Sequence, residues 1–336
     1  MWVVLSFVYL SFLVGGTLIA VTGSSWFVVW MGLEMNMMSF IPLVNLSSKI
    51  NSEALFSYFL VQVIGSLLLF YVGVVGSIWV SYGNFMYDVF SSGGVLIMLM
   101  ALKLGASPVH FWFPSVVEGL DWFGVLMLMT WQSVAPLSVV SVVDGVSGLI
   151  LVIGVLSVIV GGFGGLNQLL LRKLMAYSSI SHLGWLCLIV VMSEWVGLVY
   201  FVSYVMVSSA VIFCFMFSSF VHVGQLYSTG YGVIGLLAVF YLGLFSLGGL
   251  PPLFGFFPKW LGIILMAGVG YLWVVMFFVV VGLLTLYFYL RMGYVGLVGF
   301  TGFNMWSLYS FSVVLFSSFF LCATYFLLPF SVFSLL

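Results

Sequence analysis

Of 336 residues, 65% are hydrophobic and only 4% charged, far from the roughly one-quarter charged content of a soluble domain. No stretch is polar enough to coat a soluble domain, so nearly the whole chain is expected in or against lipid. A net charge of −1 with six scattered basic side chains lacks the basic patch that nucleic-acid binding needs.

At about 20 apolar residues per helical crossing, the chain predicts an all-α polytopic bundle of about eleven transmembrane helices. They fall near 2–21, 25–45, 55–80, 93–112, 121–142, 146–165, 171–192, 195–220, 232–265, 268–291 and 305–330. The first segment lacks a basic n-region and a small-residue cleavage site, and reads as a retained span. In the second, WMGLEMNMMSFIP places Glu34 near mid-membrane, where a charge costs about 3 kcal/mol on insertion scales and needs a partner. The fourth contains MLMALKLGASPVHFWF, with Lys103 in an apolar run and Pro108 expected to loosen the helix beside it. Lys103 is the nearest partner for Glu34 in chain order, either as a pair whose making and breaking changes the lysine's proton affinity or as a static pair fixing helix register.

Glu118 and Asp121, in PSVVEGLDW, read as a solvated loop or helix start. Gly161 and Gly165, in GGFGG, form a small-xxx-small packing pattern. In RKLMAYSSISHLGWL, His182 lies about ten residues into its segment beside Ser178, Ser179 and Ser181. It reads either as a proton relay or as a neutral histidine donating one bond to a carbonyl. His110 and His222, near segment ends, are expected at the interface. Cys187, Cys214 and Cys322 are isolated in apolar runs and suit buried hydrophobes rather than disulfides or metal ligands.

The ninth segment has about 34 residues, which as one straight helix would span about 50 Å against a hydrocarbon core of roughly 30 Å. LGGLPPLFGFFPKW supplies a break at Pro251 and Pro252, and Lys259 follows it, either functional or snorkelling to the interface. Segments four and nine are thus both interrupted and both carry a lysine. Five segments apart, they suggest two inverted five-helix repeats, 1–142 and 146–291, with an extra helix at 305–330. Alternating loops put Lys49, Arg172, Lys173 and Arg291 on the side of the N-terminus and Asp88, Asp144 and Glu194 on the other, so the N-terminus is expected on the cytoplasmic or matrix face.

The motifs WMGLEMNMMSFIP, KLGASPVHFWFP, LMLMTWQSVAP, GGLNQLLLRKLMAYSSISHLGW and LGGLPPLFGFFPKW together resemble the NADH dehydrogenase subunit 2 family of animal mitochondria, from about residue 20 to about residue 290. The resemblance implies an antiporter-like, proton-translocating membrane-arm subunit of respiratory complex I in the mitochondrial inner membrane, N-terminus in the matrix and C-terminus in the intermembrane space. It implies partners among the other membrane-arm subunits, including neighbouring antiporter-like ones, and among phospholipids. NADH, FMN, iron–sulfur clusters and ubiquinone would be held by other subunits, with no cofactor in this chain. The family's proton-pathway carboxylate falls on Glu34, its broken-helix lysine on Lys103, its second-half lysine on Lys259 and its histidine on His182. One departure stands out: Ser133 follows TWQ, where family members commonly have a lysine. Without the resemblance, an autonomous cation/proton antiporter and a non-conducting scaffold also fit the residues.

Overall fold

A computed structural model describes residues 2–47, 52–81, 92–143, 147–227 and 234–298. Its helices are α1 (Trp2–Thr22), α2 (Trp26–Ser47), α3 (Ser52–Ser81), α4 (Ser92–Leu104), α5 (Trp112–Gly119), α6 (Trp122–Met129), α7 (Trp131–Val142), α8 (Ser147–Gly165), α9 (Leu171–Met192), α10 (Glu194–Ser218), α11 (Ile234–Gly248), α12 (Phe256–Val269) and α13 (Leu272–Val298). Among the described residues there is no strand, only an isolated bridge between Leu170 and His222. The all-α expectation therefore holds, and eight helical stretches are long and apolar enough to cross a membrane. The predicted segment 305–330 lies outside the described residues, as do Lys49, Asp88, Asp144 and Cys322.

Helices suit this chain because a backbone in lipid must satisfy its own polar groups. Side-chain hydroxyls are absorbed in the same way: Ser39, Ser66, Ser157 and Ser178 each donate to the carbonyl three residues earlier at 2.7–3.0 Å. Small residues then let helices approach. A Cβ added at Gly32 of α2 would lie 2.5 Å from the Ala20 backbone nitrogen of α1. One added at Gly161 would lie 2.6 Å from both Ser181 N and Tyr177 O of α9. Gly161 and Gly165 thus do serve packing, the latter against Phe288.

The chain divides into two compact units, Met1–Ser157 and Val158–Leu336. In the first, α2 packs on α1 and α3, α3 on α4 and α5, and α7 on α4. In the second, α10 packs on α9, α11 and α12, and α13 on α11 and α12. The α9–α10 corner is set by Ser193, whose hydroxyl accepts from Val196 N at 3.3 Å while Glu194 opens the first turn, an N-cap with an acidic residue at the positive helix end.

Each unit contains one interrupted helix. The expected fourth segment ends at Leu104 and resumes as α5, and the expected ninth is divided into α11 and α12 around Pro251 and Pro252. The first interruption corrects the sequence expectation. Gly105, at φ 74°, ends α4, while Pro108 is exposed three residues further on, in the connecting turn. Gly105 N donates to Leu102 O at 3.2 Å and Ala106 N to Ala101 O at 2.8 Å, the two bonds of a Schellman cap. A left-handed glycine stops this helix before the proline is reached.

Candidate proton-handling site

In the first unit the site is assembled around the end of α4. Lys103 occupies its last turn and is 8% exposed, where a cation gains about 1–2 kcal/mol from the negative helix end in a partly buried setting. Its aliphatic stem lies over Gly65 of α3, where an added Cβ would meet Lys103 Cε and Cγ at 3.5 Å. The Lys103 carbonyl, free of its own helix, accepts from Gln62 Nε2 at 3.2 Å. Trp112 Nε1 donates to Leu102 O at 3.0 Å. Glu34 is half-buried on α2, and its charge acts on Lys103 and on the buried phenol of Tyr58. The two approach through space, without an N–O contact of 4.0 Å or less.

Gln62 and Tyr58 carried no weight in the sequence reading. Their signal was present: Tyr58, Gln62 and Ser66 recur every four residues along an otherwise apolar span, the spacing of one helix face, and all three are buried.

His110 is buried by its own chain. Its ring is 8% exposed, with Nδ1 3.2 Å from Pro108 O and the ring centroid 4.3 Å from that of Phe111. The turn that follows Gly105 folds it back against the chain. Ser133 is buried on α7, and its hydroxyl donates to Thr130 O at 2.8 Å and Met129 O at 3.2 Å. Glu118 is exposed near the end of α5 and Asp121 occupies the N-cap position of α6, matching a loop and helix start. Cys187 and Cys214 are buried free thiols.

In the second unit the break is capped by the same geometry. Gly249, at φ 84°, follows α11. Gly249 N donates to Ser246 O at 3.0 Å and Leu250 N to Phe245 O at 3.3 Å. This leaves the next two carbonyls, Leu247 and Gly248, and Lys259 reaches back from α12 to donate to them at 3.0 and 2.9 Å. The ammonium turns inward to a helix end. Gly255 lies against the Ser246 backbone so closely that a Cβ would overlap its carbonyl.

His182 is 6% exposed on α9. Its Nδ1 lies 3.0 Å from Tyr200 OH, and its ring faces Tyr204 at a centroid distance of 5.1 Å. Leu247 lies nearby, and the charge of Lys259 acts on the ring. A small cavity adjoins it, lined by His182, Tyr200, Ser203, Tyr204, Ser246 and Leu247 among others, with room for about one water molecule. His182 and Lys259, 77 positions apart, are therefore brought to the same helix break, His182 lining the cavity beside Leu247 and Lys259 bonded to the Leu247 carbonyl. Among the described residues no group of three or more His, Cys, Asp or Glu is arranged to hold a metal.

Two interrupted helices, one with Lys103 in the last turn before its break and the other with Lys259 on the carbonyls of its break, define a polytopic membrane protein with ionisable groups at its broken helices. Residues 23–285 match the family described as NADH:quinone oxidoreductase/Mrp antiporter, TM. Proteins named NADH-ubiquinone oxidoreductase chain 2 from Anopheles gambiae and Patiria pectinifera are each 39% identical, the first over 85% of this chain and 84% of its own length, the second over 83% and 80%. The chain belongs to this family. In fold it is similar to a chain of respiratory complex I from Thermus thermophilus, with a TM-score of 0.79 and 22% identity over 97% of this chain and 78% of that one. It is also similar to a chain of the Mrp complex from a Dietzia species, with a TM-score of 0.70 and 18% identity over 83% of this chain and 58% of that one.

Proposed function

We propose that this chain is a core membrane-arm subunit of proton-pumping NADH:ubiquinone oxidoreductase, moving protons through Glu34, Lys103, His182 and Lys259 under the drive of redox chemistry in other subunits. The observation that carries the reading is the second break, where the Lys259 ammonium is held on the Leu247 and Gly248 carbonyls with His182 beside it. A partly buried lysine presented to an interrupted helix end is an expensive feature for packing alone and a direct means of holding a transferable proton. In the first unit, Glu34 and Lys103 give the same ingredients with a carboxylate in place of the histidine. NADH, FMN, iron–sulfur clusters and ubiquinone belong to other subunits in this reading.

Chain 2 homology supports the mitochondrial inner membrane as the location, with the other membrane-arm subunits, neighbouring antiporter-like ones among them, and phospholipids as partners. Arg172 and Lys173 at the start of α9 and Glu194 at the start of α10 support a matrix-side N-terminus by the positive-inside rule, and an intermembrane-space C-terminus. The repeat limits 1–142 and 146–291 rest on the matching breaks.

Glu34→Gln and Lys259→Met, made separately, test the site. Each should leave the complex assembled on native gels while lowering proton pumping coupled to NADH oxidation by about tenfold or more, the loss expected when a positioned proton carrier is removed. Normal pumping in both variants would remove the reading. A second reading, a free-standing cation/proton exchanger, is favoured by the likeness in fold to the Mrp complex chain. Sodium-driven proton flux by the isolated, reconstituted chain would select it.

A further inference from the structure

Lys103 is the penultimate residue of α4, among the last four positions of a helix, whose carbonyls have no partner within it and whose backbone tends to fray. Here the backbone is held on both sides of the lysine. The peptide before its α-carbon ends in the Leu102 carbonyl, which accepts from Gly105 N at 3.2 Å and from Trp112 Nε1 at 3.0 Å, one donor for each lone pair. The peptide after it presents the Lys103 carbonyl to Gln62 Nε2 at 3.2 Å. The lysine stem then crosses Gly65, one turn along α3 from Gln62. Trp112 opens α5, so its bond spans the interruption between the two halves of the broken helix. Its indole, 9% exposed, also packs on Tyr58 of α3 at a centroid distance of 5.9 Å, and Tyr58 packs on Phe40 of α2 at 5.1 Å, the helix that contains Glu34. At the second break the ammonium of Lys259 itself occupies the carbonyls; at the first, two uncharged side chains do so. Of the titratable groups on the elements around Lys103, α2 contributes Glu34 and α3 contributes Tyr58, with Glu53 and Tyr71 exposed toward its ends. The connecting turn contributes His110, α5 has Glu118 exposed near its far end, and α7 contains no titratable side chain.

We propose that Trp112 is a positioning residue for Lys103: through the Leu102 carbonyl it pins the backbone from which the lysine springs, with Gln62 pinning the other side, and so fixes the ammonium's place relative to Glu34. Neither donor titrates, so the hold on the lysine is the same at every working pH. The proposal rests on the proton-handling role of Glu34 and Lys103 given above.

Trp112→Phe, in the assembled complex, removes the donor and keeps an aromatic ring against Tyr58. Pumping coupled to NADH oxidation should fall by up to about fivefold, the shift in equilibrium that one lost hydrogen bond of about 1 kcal/mol permits, and the pH at half-maximal pumping should move. Val117→Ala, which opens a cavity at a fully buried position of the same helix, should lower the inactivation temperature and leave that pH in place. An unmoved pH profile in Trp112→Phe, or an equal movement in Val117→Ala, would overturn the proposal. If Trp112→Phe does not assemble, Gln62→Leu asks the same question from the other peptide, and an unmoved profile there counts equally against it. A structure of the variant complex reads the lysine directly: a stem withdrawn from Gly65 supports the assignment, and a stem still lying over Gly65 refutes it. If Lys103→Met itself pumps normally, the proton-handling role of Lys103 fails, and the position of the stem in the Trp112→Phe or Gln62→Leu complex still decides the positioning role.

Discussion

Replacing Gly249 by alanine strikes two features of the second break at once. Its φ of 84° is a conformation that L side chains avoid, at a cost of about 1–2 kcal/mol. The new methyl would also lie 3.0 Å from Lys259 Cδ and 3.1 Å from Nζ, so the lysine must withdraw by a few tenths of an ångström. Its bonds to Leu247 and Gly248, now 3.0 and 2.9 Å, would then stretch toward the limit of useful hydrogen bonding. Weakening one charged bond adds about 1.5–2 kcal/mol, for a total of about 3 kcal/mol. Gly270→Ala is the control, because it too sits at a positive φ, 94°, but its methyl would meet nothing within 4 Å. Both variants should lower the midpoint of thermal inactivation of the complex, and only Gly249→Ala should also lower the protons pumped per NADH oxidised. Equal pumping ratios for the two would refute a capping role for Lys259 in function.

Gln62→Leu should destabilise the first unit by about 1 kcal/mol through the unpaired Lys103 carbonyl, read as a lower inactivation temperature; Gln62→Glu, which cannot donate when ionised, should behave no better. Gly161→Leu should block assembly, since its Cβ would lie 2.6 Å from backbone on α9 and a backbone contact cannot yield; normal levels of assembled complex on a native gel would refute that contact.

Length and hydropathy were enough to locate the eight apolar spans among the described residues, and the glycine–proline run after Leu247 was enough to locate the second break, because no straight helix of that length fits the bilayer. Hydropathy does not identify the residue that ends a helix. At the first break Pro108 drew attention as the stronger helix breaker, yet the chain had already turned at Gly105, where a left-handed glycine satisfies two carbonyls at once. The lysines, Glu34 and His182 were visible as rare ionisable groups in an apolar chain. Gln62 and Tyr200 were not, since a neutral polar side chain in a span is cheap enough to pass unremarked and only its partner, 41 or 18 residues away, gives it a purpose. The same limit applies to His110, whose burial depends on a turn in the chain rather than on its distance from a segment end.

The Lys259 cap has a consequence for the protein's working cycle. An ammonium has three hydrogens and a neutral amine two, and two carbonyls, Leu247 and Gly248, await them. Loss of one proton therefore leaves the helix end fully occupied, with the departing hydrogen being the one not committed to α11. The break can keep its shape through both charge states, so a moving proton need not disturb the scaffold that holds it.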